Sequence, residues 1–329
     1  MESFMHRRNA LGLGLGLAAF LARPTLAPAA LRGAAPSLRG PTIDLLTAAG
    51  NVTAMAKLAG DLDLNHTKHG WYEGVMVGVA PGGATRDLLG IRGLSSQRIL
   101  PPAPGSAASG ASWMLLQKEV GFFTDLNTGE VVERWRNPYT DEDVATFHIA
   151  NPAVNHLIEP VVRESGFYEA APGGEAKSKP FILDWHAAGG RAFVEQRTHV
   201  WARNPLDPGV WRRESSGAEI QVTDMQSYSV ELSALQDPQL TSLPYVGHWV
   251  HWRPWQPWML MGTRSGGCLY SATTGGAGSL DELPPDLVAL VRERAPEFLV
   301  APTELHKSEP SMVRYMRERK PAPAGKAEP

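Results

Sequence analysis

Lys118–His156 reads KEVGFFTDLNTGEVVERWRNPYTDEDVATFHIANPAVNH, and its punctuation decides the expected fold class. From Glu119 to Asp125 the chain is rich in Val and Phe, Leu126-Asn127-Thr128-Gly129 supplies turn residues, and Glu130 to Trp135 alternates Val with charge. That pattern predicts a β-hairpin. Asn137-Pro138-Tyr139-Thr140-Asp141 marks a second turn, because proline cannot donate to a strand ladder and asparagine readily bonds its own backbone. A third strand is expected from Val144 to Ile149, with Val144, Thr146 and His148 on one face. Asn151-Pro152 ends it. Asn151, Asn155 and His156 then gather two carboxamides and an imidazole at the strand exit, where barrels and sandwiches commonly place a site.

Working outward, the same alternation recurs. Trp71–Val79 reads as a strand and Arg86–Ile99 contains another. Phe181–His186 and Arg191–Trp201 form a hairpin across Ala187-Ala188-Gly189-Gly190, and Glu219–Leu232 is a long strand. Gly247–Trp258, GHWVHWRPWQPW, sets His248, Val250 and Trp252 on one face and Trp249, His251 and Arg253 on the other before Pro254 stops it. Gly266–Ser271 is a last strand. Two short helices are expected, Ile43–Leu58 with a glycine break at Gly50 and Pro284–Ala295 with its prolines at the start. Turn signals every ten or so residues with no β-α alternation predict a mainly β chain, an antiparallel barrel or sandwich with a few peripheral helices; α+β is the alternative.

The 329 residues, 43% of them apolar, suffice for a full core. A net charge of -3 without a basic stripe argues against a nucleic-acid partner. The single cysteine, Cys268, permits no internal disulfide. Arg7-Arg8 precede an apolar run from Leu11 to Leu21, and Ala27-Pro28-Ala29 offers small residues for cleavage, so residues 1–30 read as a twin-arginine export signal and the mature protein as periplasmic or secreted. The run is too short to span a membrane in the mature protein. Its Gly12-Leu13-Gly14-Leu15-Gly16 follows no strand and carries no nucleotide fingerprint. Residues 31–42 read as a flexible lead, 43–319 as a single β-rich domain, and 320–329 as a disordered tail; Pro101–Gly110 and Ala170–Lys179 read as flexible connectors.

Two blocks, EVGFFTDLNTGEVVERWRNPYTDEDVATFHIANPAVN and RPWQPWMLMGTRSGGCLY followed by LDELPPDL, resemble those of the domain of unknown function 1838, DUF1838. The resemblance rests on an acidic hairpin ending in Trp and Asn-Pro, a His-x-x-Asn block, and a Pro-Trp-x-Pro-Trp-Met-x-Met-Gly block, and it covers about Ile43 to Arg319. The chain departs from it at Asn151-Pro152-Ala153, where Asn-Asp-Pro is expected; that change removes a carboxylate close to His148. The resemblance implies a fold and no reaction.

No Gly-x-Ser-x-Gly elbow, His-Glu-x-x-His, paired cysteine or phosphate loop occurs. Three functions fit what remains. The first is a cofactor-independent lyase or isomerase working by acid/base chemistry on a small hydrophobic or aromatic molecule: His148 as acid or base with Glu119 as its carboxylate, and Asn151 and Asn155 as orienting amides. Arg253 would clamp an anion, and Trp255 and Trp258, held by Pro254 and Pro257, would make a stacking wall, with Trp135, Asn137 and Met259 of the same two blocks beside them. The same indoles would serve equally as a plug for a barrel end. The second is a metal-dependent enzyme in which His148, His186, His199 and His248 converge on a divalent ion. The third is a periplasmic small-molecule binding protein without chemistry.

Overall fold

The computed structural model of the chain describes residues 37–101, 112–163 and 178–323. In order they form α1 (Ala48–Ala59), β1 (Lys68–Val79), β2 (Arg86–Leu100), β3 (Trp113–Thr124), β4 (Arg134–Asn137), β5 (Glu142–Ala145), β6 (Ile149–Ile158), β7 (Val161–Arg163), β8 (Ser178–Pro180), β9 (His186–Ala188), β10 (Arg191–Arg203), β11 (Glu219–Glu231), α2 (Leu232–Gln236), β12 (Tyr245–Pro254), β13 (Gly267–Ala277), α3 (Pro285–Arg294) and α4 (Ser311–Glu318). Nine strands make one antiparallel sheet, β6-β3-β2-β1-β13-β12-β11-β10-β9, curled into a half-barrel. The chain is mainly β, as its turn spacing predicts. The sheet consists of two meanders joined at its centre, where β1 pairs with β13 from His69↔Ala277 to Val79↔Gly267. The expected export signal and most of the Pro101–Gly110 and Ala170–Lys179 connectors lie outside the described residues. Among those described, no helix is long and apolar enough to cross a membrane.

Period-2 alternation gives the sheet two unlike faces. The outer face of β2 and β3 offers Leu94, Val120 and Phe122 to Leu287, Val288 and Val291 of α3. The concave face is filled at one end by α1. Its Met55 and Leu58 cluster with Ala192, Val194 and Val230 of β10 and β11, and its Ala56 with Ile99 and Leu115 of β2 and β3. Thr47 caps α1 by accepting the Gly50 N–H at 3.1 Å, an oxygen cap for an otherwise orphan donor. The other end is filled by Met76, Leu89, Phe123, Trp255, Trp258, Met259 and Tyr270.

Two buried ammonium groups tie the α1 end together. Lys57 Nζ donates to the carbonyls of Ala234, Leu235 and Asp237, closing the C-terminus of α2. Lys68 Nζ donates to the Lys57 and Leu243 carbonyls and to Ser242 Oγ. Lys68 is 1% exposed, and burial pushes its ammonium down to about 7 against the pull of Asp61 and Glu282. The unfolded chain keeps this proton up to the ordinary lysine value, so between pH 7 and that value unfolding takes up a proton and stability rises with pH. Urea denaturation is expected to show a gain of about 3 kcal/mol from this group between pH 7 and 9.5. Most of the gain should be lost in Lys68→Met, leaving what the likewise lowered Lys57 contributes; a wild-type slope that persists in the variant would refute the assignment.

The quoted stretch folds differently from its expectation in three places. The turn forms, with Asp125 Oδ1 accepting the N–H groups of Asn127 and Thr128. The second arm, however, leaves the main sheet after one bridge, Thr124↔Val131, and pairs as β4 with β5. Residues 146–148 are not strand, so His148 lies in the link between β5 and β6. And Pro152 does not end a strand. β6 is the sheet edge, where a missing N–H is tolerated, and Pro152 falls at the register shift between Gln117 and Glu119, so β6 continues to Ile158.

Candidate functional site

The inward positions of the long strands are apolar at their ends and polar in the middle. β3 presents Leu115, Gln117, Glu119, Gly121 and Phe123; β11 presents Ile220, Val222, Asp224, Gln226, Tyr228 and Val230; β10 presents Val194, Gln196, Thr198 and Val200 between Ala192 and Ala202. The apolar ends pack against the two fillings, and the polar positions form a belt around the concave face. Here the side chain of Asp224 stays 42% exposed.

One wall centres on Glu119. Register places it opposite Ser95 and Asn151, and Asn151 Nδ2 donates to Glu119 Oε2 at 2.7 Å. Tyr72 of β1 lies flat across β2 and β3 because the two positions beneath it are glycines. A Cβ on Gly93 would lie 2.2 Å from Tyr72 Cζ, and one on Gly121 2.1 Å from Tyr72 Oη. The phenol is buried, and its hydroxyl sits beside Glu119 without reaching hydrogen-bond geometry with any described group. Burial first, and then the charge of Asp224, push the Glu119 carboxyl up from its ordinary value; the Asn151 hydrogen bond, the neighbouring Tyr72 hydroxyl and His251 oppose them.

The facing wall is an oriented imidazole. Asp224 Oδ1 accepts Trp249 Nε1–H at 2.8 Å, and Asp224 Oδ2 lies 3.3 Å from His251 Nδ1. A carboxylate can only accept, so His251 carries a hydrogen on Nδ1, and in the neutral ring Nε2 is then the proton acceptor. Trp249 joins the walls: its ring lies 5.4 Å from that of Tyr72 and 5.4 Å from that of His251, with Tyr270 at 5.6 Å. A carboxyl, an oriented imidazole and a flat aromatic floor on one concave surface are the parts of an acid/base site.

The family model described as a protein of unknown function, DUF1838, matches residues 65–320. This chain belongs to the DUF1838 family. No curated protein matches it. The matched span runs from the approach to β1 past the end of α4, and so contains both walls of the site.

Of the residues expected to act in this DUF1838 chain, Glu119 and Asn151 are brought together and the others are not. His148 is a structural acceptor: Phe123 N–H donates to its Nδ1 at 3.1 Å, its ring stacks on Phe123, and its Nε2 faces Glu133 at 3.6 Å. Burial pushes its pKa down, with Glu133 opposing. Asn155 lies on the outer face and donates to the His306 carbonyl at 2.7 Å. Asn137 is fully buried; its Nδ2 donates to the Met259 carbonyl at 2.8 Å and its Oδ1 accepts Tyr139 N–H, so it pins one turn to another. Trp255, Trp258 and Met259 are core residues at 3%, 3% and 0% exposure. Trp135 packs edge-on to Trp258. Trp255 and Trp258 therefore pack as the plug of the barrel end. Arg253 points inward beside Cys268 and Tyr270, at the plugged end rather than in the belt.

The four histidines weighed as metal ligands do not converge. His148 is in the β5–β6 link, while His186, His199 and His248 lie on the outer face, paired with Asp184, Thr223 and Ser271 respectively. No group of three or more metal-ligating side chains gathers among the described residues.

Sequence reasoning missed Asp224 and Tyr72. The signal for Asp224 is present in Glu219–Leu232: the even positions Ile220, Val222, Tyr228 and Val230 are apolar, and only Asp224 and Gln226 interrupt them. A charge in the middle of an otherwise apolar inward face is costly unless something uses it. The signal for Tyr72 would have been the glycines at Gly93 and Gly121, recognisable only once the register places them side by side.

Proposed function

We propose that the concave face of the half-barrel binds a small, flat, largely apolar molecule and moves a proton on it, the chemistry of an isomerase or lyase. One observation carries the reading: Glu119, whose carboxyl burial holds toward its protonated form, shares the concave surface with His251, whose Nδ1 faces the Asp224 carboxylate so that the neutral ring accepts a proton at Nε2. In this reading Glu119 donates, His251 accepts, Asp224 holds the imidazole tautomer, and Asn151 orients the carboxyl. Tyr72 supplies a second donor, and the Tyr72–Trp249 pair offers the flat surface on which an unsaturated ligand would lie. Arg7-Arg8 ahead of Leu11–Leu21 support the further proposal that this chemistry takes place outside the cytoplasm, after export of the folded chain.

The test is solvent exchange. Enolisable aromatic ketones and acids are incubated with the protein in deuterium oxide, and deuterium entering carbon is read by mass spectrometry. Incorporation well above the buffer rate into at least one class of compound is the expected result. Buffer-level incorporation across the panel, with no compound perturbing Trp249 fluorescence, would remove the proposal.

A further inference from the structure

The chain from His306 to Arg319 lies along β6, the edge of the sheet. The His306 carbonyl accepts from Asn155, Glu309 N–H donates to the Ala153 carbonyl at 2.8 Å, Arg314 donates to the His148 carbonyl at 2.6 Å, and Arg319 to the Thr146 carbonyl at 3.1 Å. Tyr315 of α4 is buried with Phe147 and Trp211. In the middle of this seam Ser311, the first residue of α4, makes two bonds to one atom. Its N–H reaches Asn151 Oδ1 at 2.6 Å and its Oγ reaches the same oxygen at 2.8 Å.

Those two bonds decide which way the carboxamide points. A backbone N–H can only donate, so the atom facing Ser311 must be the amide oxygen, and the NH2 group must face Glu119. The first N–H of a helix has no partner inside it, so Ser311 is free to spend its own on Asn151 without cost to α4. The geometry points to Ser311 as a positioning residue: by fixing the Asn151 carboxamide it holds Glu119 through Oε2, so that the carboxyl is set for the concave face only while the C-terminal segment is seated on β6. This rests on the function proposed above and adds to it a control on the site. Four groups bear on Glu119: Tyr72 from β1, Asn151 from β6, Asp224 from β11 and His251 from β12. Among the described residues, Asn151 is the one of the four that hydrogen-bonds the C-terminal segment.

The experiment titrates Glu119 in the full chain by carbon NMR of labelled glutamate side chains, with the Glu119→Gln protein identifying the signal. An N–H donor favours the ionised carboxyl, so loosening Asn151 moves the midpoint up. Ser311→Pro removes both the hydroxyl and the N–H, at a helix position where proline is tolerated and after a residue, Pro310, already extended at ψ 158. It should raise the midpoint by about 1 pH unit. Ser311→Ala, which keeps the N–H, should raise it by less, and Ser311→Thr should restore the wild-type value. If the proline variant does not fold, the Ala and Thr pair decides the matter alone. An unmoved midpoint in the folded Ser311 variants, with Asn151→Ala shifting it, overturns the inference. The readout needs no substrate, so its failure is distinct from that of the proposed function. A shifted midpoint in a protein that catalyses no exchange upholds the positioning role and removes the function. An unshifted one beside exchange that depends on Glu119 does the reverse.

Discussion

Asn51→Ala is expected to lower the free energy of unfolding by about 4 kcal/mol, because four hydrogen bonds end on one fully buried side chain. Nδ2 donates to the Leu45 and Thr47 carbonyls at 2.8 and 2.7 Å, and Oδ1 accepts Leu183 N–H and Trp185 Nε1–H at 2.9 and 2.8 Å. An asparagine amide has two donor hydrogens and an oxygen with two lone pairs, so its capacity is used in full. Alanine would strand the indole N–H of Trp185 and the Leu183 N–H inside the α1 cluster, and buried donors without acceptors cost about 1–3 kcal/mol each. Asn51→Asp should not rescue, since it keeps the acceptors, loses both donors and buries a charge. Urea denaturation measures both variants; a loss under about 1 kcal/mol in the alanine protein would mean that α1 is not anchored through this residue.

Glu119→Gln is expected to reduce deuterium exchange by about 10²–10⁴-fold, the usual contribution of a positioned acid or base. Glutamine keeps the size and the hydrogen bond to Asn151 while losing the titrating proton, so folding should be preserved. Asp224→Asn is the sharper companion test. Asp224 accepts from Trp249 with one oxygen and from His251 with the other. An asparagine retaining the Trp249 bond through Oδ1 would turn its NH2 group toward His251 Nδ1. That nitrogen would then have to accept, its hydrogen would move to Nε2, and the base would be lost from the concave side. A comparable fall with unchanged thermal stability is the expected result. Retention of exchange within about twofold in both variants would sink the assignment of these two walls.

The fold was legible because its strands carry period-2 alternation and end in Gly, Pro and Asn. β11 lies within the span the pattern marks, and β1, β10 and β12 overlap theirs and run two or three residues past one end. What the pattern could not show is which turn continues the sheet. The arm from Glu130 to Trp135 alternates as well as any, yet it leaves the sheet and Arg134–Asn137 pairs with β5 on a separate ribbon. The candidate site was legible in part. Glu119 and Asn151 were recognisable as polar residues at the edge of an apolar run, and their meeting follows from the register of β3 on β6. His148 misled because an imidazole near a polar turn looks the same in sequence whether it works on a ligand or receives the Phe123 N–H. The tryptophan block misled for a related reason: stiff prolines present indoles outward or inward alike, and only packing tells which. Ser311 was invisible, since it acts through a contact across 160 positions of chain.

The pairing of β1 with β13 at the centre of the sheet bears on how the chain reaches this shape. Each meander pairs strands that follow one another closely in the chain, so its loops close at a smaller entropy cost than the seam between them. The seam between them joins His69 to Ala277, residues separated by roughly 200 positions, so it must wait for a long loop to close before any contact rewards it. Until then β1 and β13 are both bare edges, with Tyr72, Met76, Tyr270 and Cys268 lying on the face that later becomes the core. Two preformed halves docking along a central line make a slow, non-local last step, and the interval before it is when this chain is most open to pairing with another copy of itself.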